Sequence, residues 1–426
     1  MRHRIMKEIK SWIEIPENSD FTLANIPFGV FSKETGHHAV ATAIGDYLLD
    51  LAIVQKFGYF DDLEIPKGIF ESRYLNPFIA LGKEKTNAVR KCIQTLLIER
   101  SKITKDSKCI TEALHKQDEV KMLLPIDIPN YTDFYSSKEH ATNVGIMFRD
   151  PDNALLPNWK HMPVGYHGRA SSIVVSDTPI HRPHGQLKDP AKDKPDFGPT
   201  KRLDFELEMG FVIGKETQLG DIVAVDKADD YIFGMVLFND WSARDIQVWE
   251  YVPLGPFLGK NFASSMSPWI VTFEALEPFK VAAPEQQVEV LPYLKETKRE
   301  TFDIQLEVAI APQESKETVV CQSNFKHLYW TMEQQLAHHT INGCNIQVGD
   351  LYASGTISGA TPDSLGSMLE LAWKGTKPVQ LEDGSTRVFI QDGDQVIMRG
   401  HAGEGHERVG FGGVRTAILP AKNIEL

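Results

Sequence analysis

Three separate stretches of the chain place acidic, basic and phenolic residues at spacings suited to a hard-cation site beside a general base. In RLDFELEMGF, read as a strand, side chains alternate faces, so Leu203, Phe205, Leu207 and Met209 point one way and Asp204, Glu206 and Glu208 the other. Neighbouring carboxylates on one face repel unless something positive lies between them; taken alone, Glu206-x-Glu208 reads as a solvated strand face. The run YIFGMVLF suits a strand buried on both faces and ends directly in Asn239-Asp240, where the acid is either a helix N-cap or a cation ligand. Along the helix expected there, Asp240, Arg244, Gln247 and Tyr251 fall at i, i+4, i+7 and i+11, one stripe fit to line a polar pocket.

The third stretch is YTDFYSSKEHATNVGIMFR, where Asp133 and Tyr135 precede Ser136-Ser137, either able to cap a helix beginning near Lys138. His140 then lies in the first turn, where the macrodipole disfavours imidazolium and helps keep a general base neutral; a lone first-turn histidine is nevertheless more often a surface residue. If a metal binds, oxygen ligands from Asp133, Glu206, Glu208 and Asp240 select Ca²⁺ or Mg²⁺, and four carboxylates lean towards Ca²⁺. No Cys/His spacing resembles a zinc site, and the adjacent His338-His339 suit a charge role at a helix C-terminus.

These residues need a large scaffold. At 426 residues the chain exceeds one ordinary core, which predicts a small mixed domain over 1–120 and a larger, mainly antiparallel β domain over 121–426, α+β in class and mainly β. Two apolar runs flank Gly45-Asp46 as in a tight hairpin, and Val89, Cys92, Ile93, Leu96 and Leu97 follow helical spacing. Strand-like runs dominate thereafter, LELAW among them. The segment SNFKHLYWTMEQQLAHHTING reads as a helix with Phe325, Leu328, Met332 and Leu336 as its apolar stripe, and HGQLKDPAKDKPDFGPTK as an exposed loop. A net charge of -13 argues against nucleic acid or an anionic membrane as partner. The widely spaced Cys92, Cys109, Cys321 and Cys344 suggest reduced thiols in the cytoplasm; the basic start lacks the apolar stretch of a secretory signal, and no run approaches transmembrane length.

Taken together, YTDFYSSKEHATNVGIMFR, NALLPNWKHMPVGYHGRASSIVVS, LDFELEMGFVIG, FNDWSARDIQVWEYVPLGPFLGKNF, HHTINGCNIQVGDLYASGTISG and SMLELAWKGTKPV resemble the fumarylacetoacetate hydrolase family over nearly the whole chain, including the amino-terminal domain that shorter relatives lack. That resemblance implies an SH3-like barrel followed by a β-sandwich roll, a homodimer, and metal-dependent hydrolysis of a small β-diketo acid, 4-fumarylacetoacetate, to fumarate and acetoacetate at the end of tyrosine and phenylalanine degradation. It also implies that Asp133, Glu206, Glu208 and Asp240 hold the metal, that His140 activates water, and that Glu370 orients it. Tyr135, Arg149, Tyr166, Gln247, Tyr251 and Thr356 match substrate-contacting positions, and Arg244 matches a further active-site arginine. Lys260 matches a lysine near the reacting carbonyl and a second, Mg²⁺ site, where Ser264 stands in place of the usual threonine. The alternatives are an acylpyruvate hydrolase or oxo-acid decarboxylase of the same superfamily and, from another class, a non-catalytic Ca²⁺-stabilised β-sandwich binding module. Turnover of the respective substrates separates all three.

Overall fold

The computed structural model describes residues 10–425, so most of the basic opening segment, residues 1–9, lies outside the described residues. The first sheet is antiparallel, with five strands in the order Leu114–Lys116, Tyr47–Asp50, His38–Ile44, Phe28–Ser32, Lys121–Leu123. Its central hairpin turns at Gly45-Asp46, with Ile44 opposite Tyr47 and Gly45 at a φ of 54°, where glycine escapes the Cβ clash. The helix Lys83–Leu97 buries Val89, Ile93, Leu96 and Leu97, as the spacing predicted.

An eight-stranded sheet forms the middle of the molecule. Its path runs Gly165–His167, Tyr131–Phe134, Leu351–Ala353, Leu207–Ile213, Ile232–Asp240, Ser264–Met266, Ile173–Val175, with Val271–Thr272 also paired to Ile232–Asp240. All nine residues of Ile232–Asp240 are buried, because both faces of the sheet are covered. On one side Phe233, Val236 and Phe238 pack with the amino-terminal elements; on the other Met235 and Leu237 pack with a five-stranded sheet that includes Gln305–Ala311, Gln395–Ala402 and Val409–Leu419. The pairings are mostly antiparallel, with three parallel ladders. The architecture is thus mixed α and β, mainly β.

Several local expectations are corrected. The helix after Asp240 spans only Arg244–Glu250; Asp240 is the last residue of its strand, and Ala243 occupies the N-cap position. A helical stripe through Asp240 therefore does not exist, because the chain stays extended through Ser242–Ala243 to pair with Leu203–Asp204. LELAW is not a strand: Ser367 accepts a hydrogen bond from the Glu370 amide and starts the helix Met368–Leu371. The helix Met332–Thr340 begins at a Thr331 capping box, so Phe325 and Leu328 precede it and reach the same core from a short 3-10 turn. The expected loop over residues 184–201 contains a hairpin, His184–Leu187 against Asp196–Pro199, resting on the Arg244–Glu250 helix through Gly185 and Ile246. His338 and His339 carry no charge role. Burial lowers both, His339 to about 4, and each pairs with a tyrosine hydroxyl, Tyr293 and Tyr352. All four cysteines are free, and no helix among the described residues is long and apolar enough to cross a membrane.

Candidate active site

The central sheet gathers its acids at one end. Asp133 sits beside Tyr166 on one neighbouring strand and Ala353 on the other, Glu208 faces Phe238, and Asp240 faces Ser264. Glu206 occupies the gap between Leu203–Asp204 and Leu207–Ile213, where a single bridge to Ser367 replaces the ladder and its amide donates to the Asn239 side chain at 3.1 Å. One carboxylate oxygen from each of Asp133, Glu206, Glu208 and Asp240 lies within 4.8 Å of the other three. Asp204, on the same face, makes five buried carboxylates with only two cations among them, Lys260 and Arg244. Surplus buried negative charge is costly and demands either protons or a bound cation.

The cations are unevenly shared. Lys260 Nζ donates to Glu206 and, at 2.6 Å, to Asp240 Oδ2; Arg244 donates to Glu206 Oε1 at 2.7 Å and to Asp204 Oδ2 at 2.8 Å. Burial works against an ionised Glu206, but these two cations outweigh it and hold its carboxyl well below the usual range. Lys260 and Arg244 are in turn held protonated by the carboxylates despite burial. Asp133 and Glu208 have no such partner. Burial first, then the neighbouring carboxylates, pushes both well above the ordinary value. Asp133 Oδ1 and Glu208 Oε1 are buried without a hydrogen-bond partner among the described residues. Two orphaned carboxyl oxygens beside two paired acids form an all-oxygen donor set that fits Ca²⁺ or Mg²⁺.

His140 is only 3% exposed, so the surface alternative is excluded. Ser137 caps its helix, Lys138–Phe148, by accepting from the His140 amide. Its Nδ1 donates to Glu370 Oε2 at 2.6 Å, joining residues 230 positions apart. Glu370 also receives Ser358 and Ser367 hydroxyls, each at 2.9 Å, and the Asn143 amide at 2.9 Å. Burial raises Glu370, yet the pull of His140 and these bonds brings it below the ordinary value. With Nδ1 spent on the carboxylate, Nε2 is the basic nitrogen.

Asp133, Glu206, Glu208, His140, Arg244 and Lys260 line one cavity of about 510 Å³, with Asp240 set behind them. Tyr135, Arg149, Tyr166, Gln247, Tyr251 and Thr356 line it too, and Tyr166 donates to Asp240 Oδ2 at 3.1 Å. Ser264 lies behind this wall and donates to Asp240 Oδ1 at 2.9 Å, while Glu370 stands behind His140. Sequence reasoning overlooked Asp204, which joins the site's halves. It holds Arg244 and accepts the Met368 and Leu369 amides at 2.7 and 3.0 Å, opening the helix that carries Glu370. The alternation that paired Asp204 with Glu206 and Glu208 was the available signal.

Residues 130–417 match the family model described as fumarylacetoacetate hydrolase C-terminal, and residues 24–125 match that described as fumarylacetoacetase N-terminal. A fumarylacetoacetase of Dictyostelium discoideum is 53% identical, covering 98% of this chain and 99% of its own. One of Homo sapiens is 51% identical, covering 96% and 99%. A solved structure of a fumarylacetoacetate hydrolase from psychrophilic Exiguobacterium antarcticum aligns with TM-score 0.53 at 17% identity over 93% of this chain and 100% of that one, a likeness of fold.

Proposed function

The chain belongs to the fumarylacetoacetate hydrolase family, and from that premise we propose that it is a metal-dependent enzyme cleaving the carbon-carbon bond of 4-fumarylacetoacetate to fumarate and acetoacetate, the closing step of tyrosine and phenylalanine degradation. The observation that carries this reading is the buried His140–Glu370 pair, at 2.6 Å, in the same site as four clustered carboxylates and a protonated lysine. Asp133, Glu206, Glu208 and Asp240 would hold a divalent cation, which when bound would supply Lewis acidity towards the ketone and the departing enolate. Glu370 holds Nδ1–H of His140, and Nε2 takes a proton from water as the water oxygen bonds to the ketone carbon. Lys260 Nζ spends two of its three N–H groups on Glu206 and Asp240, leaving the third for the oxyanion. Arg244 donates to Gln247 Oε1 at 3.2 Å, which fixes the amide and leaves its NH₂ as a second oxyanion donor. Collapse of the adduct breaks the carbon-carbon bond, its electron pair leaves with the acetoacetate fragment, and the proton on His140 passes to that fragment's carbon. Arg149 holds a substrate carboxylate, while Tyr135, Tyr166, Tyr251 and Thr356 align the chain.

Four carboxylate oxygens favour Ca²⁺ at the main site. For a second, Mg²⁺ site, Ser264 offers a hydroxyl beside Asp240; the Lys260 ammonium has no lone pair, so its share would be the main-chain carbonyl. A homodimer is supported by the apolar residues exposed beside the cavity mouth, with Leu254 at 97% and Val252 at 67% exposure. Four free thiols support a cytoplasmic setting. The amino-terminal sheet, whose last strand Lys121–Leu123 falls just past the expected boundary at 120, is read as an SH3-like barrel and the remainder of 121–426 as the β-sandwich roll, in keeping with the antiparallel order of the first sheet and the two stacked sheets beyond it.

Replacing His140 by Ala tests the reading. Turnover of fumarylacetoacetate should fall by about three orders of magnitude or more with metal binding intact. Substantial residual activity, or preference of the native chain for acylpyruvate or oxaloacetate, would remove the assignment.

A further inference from the structure

Behind the dyad lies a second cavity, of about 520 Å³, whose walls include Lys138, Glu139, Thr142 and Asn143 from the His140 helix and Glu370 and Trp373 from the opposite side. Glu370 therefore borders this rear space, with His140 standing between it and the substrate cavity. Its oxygens are held unequally. Oε2 accepts from His140, Ser358 and Ser367, whereas Oε1 accepts from Asn143 Nδ2 at 2.9 Å. Asn143 lies three residues after His140, so one face of one helix presents the base and the amide to the same carboxylate. The rear cavity is roomy enough, and carries enough polar groups in Lys138, Glu139 and Thr142, for water to reach Oε1 wherever the amide is missing.

We propose that Asn143 is a positioning residue for the hydrolysis, fixing the Glu370 carboxylate by its free oxygen and closing it off from the rear cavity so that His140 keeps one orientation. This rests on the reading of His140 as the base and Glu370 as its orienter. The amide donor also belongs among the bonds that keep Glu370 ionised against burial. Without it, water competes for the carboxylate and the imidazole loses its fixed aim, which slows proton transfer while leaving Arg149 and the tyrosines to bind substrate as before.

Asn143→Ala and Asn143→Leu test this in the full-length, metal-loaded protein. The first opens the partition, and the second fills it without restoring a donor. Both should lower kcat by about tenfold or more with KM within about twofold, since partners of this kind are worth 10- to 100-fold. Both should also shift or broaden the far-downfield proton resonance of His140 Nδ1–H, assigned by its loss in His140→Ala. A kcat within twofold of the parent overturns the proposal. So does a fall in active fraction with that resonance unmoved, because a purely structural role would lower yield or Tm alone. If the parent itself fails to hydrolyse fumarylacetoacetate, the functional reading fails; an unmoved resonance in the variants would then overturn Asn143's role separately.

Discussion

Glu206 and Glu208 are two residues apart, both buried, and treated in opposite ways. Glu206 is gripped by Lys260 and Arg244 and stays ionised against the cost of burial. Glu208, with Asp133 beside it, receives one backbone bond from Gly355 at 3.0 Å, keeps an orphaned oxygen, and is pushed towards the neutral form. The contrast separates what the chain supplies for itself from what it leaves to a bound ion. On the Glu206 side protein cations set the geometry in advance; on the Glu208 side the negative charge awaits a cation from solution.

Neutralising each acid in turn breaks or sharpens that contrast. The largest effect is expected from Glu208→Gln, which should weaken Ca²⁺ binding by 100-fold or more and abolish turnover, while the metal-free Tm stays level or rises because a strained carboxylate is gone. Titration calorimetry and thermal melts read both. Glu206→Gln should do the reverse to the metal-free fold, costing about 3 kcal/mol by leaving Lys260 and Arg244 buried with one carboxylate fewer. Equal stability losses for the two variants would erase the distinction.

The same contrast predicts a pH dependence. Asp133 and Glu208 have raised folded values, so their contribution is fully present below the ordinary carboxylate value and is lost as pH rises through the folded ones. Melts of the metal-free protein from pH 5 to 8 should show this loss, and saturating Ca²⁺ should flatten it, with on the order of one proton released per ion bound. At the opposite limb, Glu206, with a lowered value, contributes stability that disappears on strong acidification. The smallest effect is expected from Ser264→Ala, which removes one donor to Asp240 and should cost about 1 kcal/mol in a denaturant melt.

Much of this was legible in the residues because local rules decided it. The Gly45-Asp46 hairpin, the doubly buried Ile232–Asp240 strand and the Ser137 cap placing His140 in a first turn all follow from short-range pattern. The acids of one strand face pointed to a hard cation. What failed were elements whose form depends on distant partners. The stretch after Asp240 stays extended because Leu203–Asp204 pairs with it, and LELAW coils because Ser367 and Asp204 cap it. Glu370 entered through family resemblance, since no spacing reveals a bond spanning 230 positions. The division of cations between Glu206 and Glu208 was equally hidden, because alternation places both on one face without saying which one meets Lys260.

The most direct test of metal-dependent hydrolysis follows the diketone absorbance of fumarylacetoacetate with the purified native chain, before chelation, after it, and after Ca²⁺ or Mg²⁺ is restored. The absorbance should fall with stoichiometric appearance of fumarate and acetoacetate, stop on chelation and resume on adding the ion; undiminished turnover in the fully chelated protein would contradict the account.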